Sequence, residues 1–188
     1  MDKIFTKNIE HESAVKHVTG KAIYTDDISE PKNLLHAVIG YSNCSKGVIK
    51  KIDYKDVLSS EGVVDIITEK DIEGINDVGP IFKGDKIFTS KNIEYYGQPI
   101  FAVIAKTNNL AKKAALKVKI DLKISKPIVS IEEALKKKSF VLKPKHLTRG
   151  NIKDGFKKSD NILKGKLYSG GQDHFYLEGQ IAMTIPQE

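Results

Sequence analysis

The chain has 188 residues, 40% of them hydrophobic, so it is long enough for one large domain or two small ones, and a wholly disordered protein is excluded. Its net charge of +7 would suit nucleic acid, but its only arginine is Arg149 and the lysines are not interleaved with aromatic residues, which disfavours a nucleic-acid binder. The single cysteine, Cys44, excludes an intrachain disulfide, and also a thiolate zinc site or an iron–sulfur cluster built by this chain alone.

The first half of the chain predicts short strands separated by turns. Apolar runs and alternating polar and apolar residues are typical of strands, and a short helix is expected where a polar stretch ends in a glycine. In chain order the expected elements are a buried strand over 34–42, a strand over Gly47–Asp53, a helix of one or two turns ending at Gly62 and a strand over 63–68. The stretch 73–80 holds two glycines and a proline, so an irregular loop is predicted there.

The second half opens on a strand that should lie at the centre of a sheet. A turn at 97–99 leads into residues that are apolar on both faces, as in a central strand. Asn108 or Asn109 is the expected N-cap of the next helix, because apolar residues recur behind them at helical spacing. Alternation over 118–124 then predicts a half-buried strand.

A capping box predicts one more short helix. In the sequence from Ser130 to Glu133, the serine oxygen should accept from the N3 amide while the glutamate reaches back to the serine amide. The side chains expected to face inward are Ile131, Ala134 and Leu135. The proline-interrupted polar stretch 143–151 is predicted to be a linker.

The order of the elements indicates the fold class. Strands and helices interleave without the regular rhythm of a doubly wound sheet, so the prediction is α+β. No glycine-rich stretch has the spacing of a phosphate loop, which disfavours a nucleotide-binding domain. No signal-peptide core or membrane-length apolar run occurs, and one cysteine suits a reducing compartment, so a cytoplasmic protein is predicted.

The densest cluster of unusual residues lies between Ser169 and Gln180. Gly170 and Gly171 let the backbone come close to a bound group, and Gln172 follows them with an amide that can donate and accept hydrogen bonds. If this segment is a site, Gln172 is its working residue.

Two other interpretations of this segment are open. Asp173, His174 and Glu178 could bind a metal or act in acid–base catalysis, but the first two are sequence neighbours and would point to opposite faces of a strand. Alternatively, Phe175 and Leu177 pack inward while the two glycines make a turn or bulge. No metal ligand is assigned.

Several stretches resemble the xanthine dehydrogenase and aldehyde oxidase family, over essentially the whole chain. They are 13–42, Ile75–Pro80, Glu94–Ala105 and Gly170–Glu188, the last with the sequence GGQDHFYLEGQIAMTIPQE. In this order and at this spacing they resemble the N-terminal part of the family's molybdopterin-binding large subunit. Lys46 stands where the family often has histidine, a difference expected to affect only a loop.

The resemblance implies an α/β hammerhead domain followed by the first strands of the molybdenum-binding domain. The expected organisation is an N-terminal arm at 1–16, the hammerhead domain at 17–125, a linker with a short helix at 126–150 and the start of the cofactor domain at 151–188. The resemblance also implies that Gln172 hydrogen-bonds close to the molybdenum centre, with Gly170 and Gly171 giving access to the backbone.

For the complete enzyme, the resemblance implies hydroxylation of a purine, from hypoxanthine or xanthine to urate, with water as the oxygen source. The implied cofactors are molybdopterin on this subunit, and FAD and 2Fe-2S clusters on other subunits or domains; none should bind stably to this chain alone. The family's catalytic glutamate and substrate-orienting arginine lie downstream of the resembling stretches. No catalytic residue is therefore assigned, and the chain is expected to be inactive by itself.

Two alternatives stay open: a non-catalytic module that binds partner subunits of a molybdenum hydroxylase, or part of an aldehyde oxidase. The expected partners are the remaining molybdenum-subunit sequence, the iron–sulfur and FAD subunits and a purine substrate, with no nucleic acid and no membrane. The segment after Lys126 should be loosely packed in the absence of that remaining sequence.

Overall fold

A computed structural model of the chain describes residues 11–186. They belong to two compact units: a sheet unit, Lys32–Thr148, and a terminal unit, whose described residues are 11–31 and 149–186. The α-helices are α1 (Ala14–Val18), α2 (Lys55–Leu58), α3 (Asn108–Ala115), α4 (Ile131–Lys136) and α5 (Ile152–Lys157). The strands are β1 (His36–Tyr41), β2 (Gly47–Asp53), β3 (Val63–Ile67), β4 (Asn92–Ile93), β5 (Pro99–Ala105) and β6 (Lys119–Ile124). Short 3-10 helices lie at Thr25–Asp27 and Glu69–Asp71.

The sheet unit contains two small antiparallel sheets with helices beside them, which confirms the α+β prediction. One sheet has the order β1-β5-β3 and the other has the order β4-β2-β6. The strands predicted over 47–53, 63–68 and 118–124 are confirmed as β2, β3 and β6. None of the helices within residues 11–186 is long and apolar enough to cross a bilayer.

Strand β5 forms the centre of the core, as its sequence predicted. Phe101, Val103 and Ala105 are fully buried, and Ala111 and Ala114 of α3 are buried in the same cluster. Opposite Phe101 in β1 lies Gly40, where a Cβ atom would clash with the phenyl ring. A glycine at this position therefore makes room for the largest buried side chain of the central strand.

A buried polar network fixes the entry into β5. The Oγ of Ser42 accepts a hydrogen bond from the N–H of Gln98 at 3.1 Å and lies 3.0 Å from the carbonyl oxygen of Tyr95, to which it can donate. The Oε1 of Gln98, 2% exposed, accepts from the N–H of Glu94 at 2.8 Å. The sequence predicted Ser42 as the last residue of a strand and Gln98 as part of a turn, but not the hydrogen bonds that they make, because such bonds leave no periodic signal in the sequence.

The first strand is more exposed than the sequence predicted. β1 lies at the edge of its sheet, and Ile39 and Tyr41 are 39% and 56% exposed. The apolar run therefore predicted the strand correctly. It did not predict whether other elements cover both faces of that strand.

The helix N-cap differs from the predicted one. Thr107 precedes α3, and its Oγ1 accepts from the N–H of Leu110 at 3.2 Å, whereas Asn108 and Asn109 lie inside the helix. Threonine and asparagine are both good caps, so the choice between neighbours depends on where the backbone turns from extended to helical.

A short helix begins after Ser130 as predicted, and Ala134 is half-buried, but Ile131 and Leu135 do not face inward. Ser130 Oγ accepts from the N–H of Glu133 at 3.2 Å, as expected of the cap. The Glu133 carboxylate accepts from Lys137 Nζ at 2.7 Å instead of reaching back to the serine amide, since a lysine four residues on shares its helix face. Ile131 and Leu135 are 69% and 59% exposed because no element covers them within the described part of the chain.

The terminal unit carries short helices and no strand in its described residues. Helices α1 and α5 were not predicted, and α5 is capped by Asn151, whose Oδ1 lies 3.3 Å from the N–H of Asp154. The strands expected within 151–188 are not formed over 159–186, because a strand needs a neighbour for its N–H and C=O groups. Residues 1–10 of the predicted N-terminal arm lie outside the described residues.

The buried network predicts a specific cost for Ser42→Ala. The substitution leaves the N–H of Gln98 without its acceptor in a buried position, so the free energy of unfolding should fall by about 1–3 kcal/mol. Ser59→Ala is the matched control, because the Ser59 hydroxyl is exposed and bonds only weakly to Asp56 O at 3.4 Å. Urea unfolding, monitored by circular dichroism, compares the two variants. Equal urea midpoints would show that the hydrogen-bond network does not contribute to stability.

The cap of α3 is tested by a pair of substitutions. Thr107→Ala should lower the free energy of unfolding by about 1 kcal/mol, because it removes the acceptor of the Leu110 amide. Asn108→Ala should cost less, since alanine is a better helix former than asparagine. A larger loss for Asn108→Ala in the same urea titration would contradict the observed cap.

Candidate functional site

The segment Ser169–Gln180, which the sequence analysis singled out, is exposed and irregular throughout. Gly170 and Gly171 have no atom within 4 Å of an added Cβ, so the backbone here is open to approach. These glycines are not required by crowding or by a positive φ. No turn or bulge is formed at the two glycines, which lie in irregular, exposed backbone.

Gln172 follows these glycines with its side chain in solvent. Its amide makes no hydrogen bond to another described residue, so both the donor and the acceptor are available to a group from elsewhere. The expectation that Phe175 and Leu177 pack inward is wrong, since these side chains are 90% and 87% exposed. Phe175 also has a φ of 53°, which a bulky residue rarely adopts.

The acidic and histidine side chains of the segment do not assemble into a metal centre. The ring of His174 stacks on Tyr176, with centroids 5.7 Å apart and planes 4° apart. No group of three His, Cys, Asp or Glu side chains in residues 11–186 could hold a metal ion. The segment therefore offers no set of metal ligands within the described residues, while the amide of Gln172 and the backbone of the two glycines are open to hydrogen bonding.

A second unusual feature is the loop between residues 73 and 88, whose irregular conformation over 73–80 was predicted. Asn76 closes it with two hydrogen bonds to Phe88: Nδ2 donates to the carbonyl oxygen at 2.7 Å, and Oδ1 accepts from the N–H at 3.0 Å. Within the loop, the Asp77 carboxylate accepts from the N–H groups of Gly79 at 2.8 Å and Gly84 at 2.6 Å. These two bonds hold the pKa of Asp77 below its ordinary value.

Comparison with known protein families gives two matches that cover most of the chain. Residues 19–126 match the family "Aldehyde oxidase and xanthine dehydrogenase, a/b hammerhead domain". Residues 132–188 match the family "Molybdopterin cofactor-binding domain". The segment from Ser169 to Gln180 falls inside the second match.

Among similar proteins, xanthine dehydrogenase of Dictyostelium discoideum is 37% identical over 97% of this chain and 13% of its own length. Aldehyde oxidase 2 of Rattus norvegicus is 38% identical over 95% of this chain and 13% of its own length. The chain thus spans about an eighth of these relatives. The solved aldehyde oxidoreductase of Desulfovibrio desulfuricans aligns with a TM-score of 0.59 and 33% identity, over 68% of this chain and 15% of that one.

The Asp77 carboxylate predicts a pH dependence. Since its pKa is depressed in the folded chain, it contributes stability that is complete above its ordinary value of 3.8 and is lost as the pH falls through the depressed pKa. Asp77→Asn should therefore be less stable than the parent at neutral pH and should lose less stability on acidification below about pH 5. Urea midpoints measured from pH 7 to pH 3 check this; parallel curves for the two proteins would contradict it.

Proposed function

Because the chain belongs to the aldehyde oxidase and xanthine dehydrogenase family, we propose that it supplies one edge of the active site of a molybdenum hydroxylase, as the N-terminal part of the molybdopterin-binding subunit. The single observation that carries the proposal is the bare backbone of Gly170 and Gly171 leading to an unpaired amide at Gln172. This arrangement lies within the stretch matched by the cofactor-binding family.

We assign residues 17–125 to the hammerhead domain, 126–150 to a linker and 151–188 to the start of the cofactor domain. The first matched range, 19–126, supports the extent of the hammerhead domain, whereas the second, 132–188, begins within the segment that we assign to the linker. With this assignment, the buried strand β5 belongs to the hammerhead domain and Gln172 belongs to the cofactor domain.

The residues fit a molybdenum cofactor at one point of contact. An open glycine pair lets a large group approach the backbone, and a neutral amide can donate a hydrogen bond without adding charge. When bound, the cofactor supplies the redox chemistry by which an oxygen from water is added to a substrate carbon. Gln172 orients a hydrogen-bond acceptor beside that reaction and neither gains nor loses a proton.

The substrate that we propose is a purine, with hypoxanthine and xanthine oxidised to urate. A xanthine dehydrogenase among the similar proteins supports it, but aldehyde oxidases are equally similar, so an aldehyde is the alternative. Turnover of xanthine and of an aromatic aldehyde by the assembled enzyme distinguishes them. Faster turnover of the aldehyde would overturn the purine assignment.

The complete enzyme needs more polypeptide than this chain. One cysteine cannot hold a 2Fe-2S cluster, so we place these clusters and FAD on partner subunits or domains. We also propose a cytoplasmic location, which the buried and unpaired Cys44 supports. The chain alone, mixed with molybdenum cofactor, should show no xanthine oxidation. Activity in that mixture would refute the proposal that this chain does not contain a complete active site.

A non-catalytic role as an interaction module is the second candidate. It is favoured by the core of the sheet unit, because every residue of the buried cluster lies within Lys32–Thr148. The two functions differ in what Gln172 does, because a module would not need its amide.

Gln172→Ala in the assembled enzyme separates these functions. It should lower kcat by about 10–100-fold, because it removes a hydrogen bond beside the reaction centre. Gln180→Ala is the matched control, an exposed amide in the same segment. Molybdenum content and subunit composition are measured in parallel, and equal kcat values for the two variants with full molybdenum would favour the interaction module.

A further inference from the structure

We draw no further inference here: the strongest candidate, the open cavity of about 620 Å³ beside β2 and β4 of the sheet unit, whose lining includes Lys46, Tyr95 and Ser139, has only exposed or half-buried polar side chains in its lining, and nothing in the described residues shows what would occupy it.

Discussion

The structure depends on the burial of β5, a strand that pairs on both edges and is covered on its inner face by α3. Three neighbouring elements satisfy that strand: β1 and β3 take its hydrogen bonds, α3 packs against it, and Gly40 of β1 leaves room for Phe101. Ser42 and Gln98 fix where the strand begins. A strand that is apolar on both faces is unfavourable in water, so other elements of the chain must cover both faces.

The segment over 159–186 shows the opposite situation. It contains apolar residues suited to strands, such as Leu167 and Ile181, yet it forms no strand in its described residues and most of its side chains are exposed. The backbone N–H and C=O groups of a strand need an adjacent strand as hydrogen-bond partner, and its apolar side chains need other residues to bury them. In the enzyme that we propose, the rest of the molybdopterin-binding subunit would supply both, and the same contact would bring the amide of Gln172 beside the cofactor. The segment would then fold only when it contacts the polypeptide that completes the site.

The sequence predicted the elements better than it predicted their surroundings. Periodicity located β2, β5 and β6, because a strand's pattern is a local property. It missed the exposure of Ile131 and Phe175, since whether an apolar side chain is covered depends on polypeptide that the pattern does not contain. Gln172 was singled out by its motif and by the family resemblance and stays a prediction, whereas the bonds that fix the loop at Asn76 join residues distant in sequence and leave no periodic signal.

Hydrogen–deuterium exchange tests most directly whether this chain is one edge of a larger site. In the isolated chain, amides near Phe175 should exchange rapidly while those of β5 are protected; in the assembled enzyme, the amides over 159–186 should become protected as strands form. Strong protection near Phe175 in the isolated chain, or the same rapid exchange in both forms, would contradict the account.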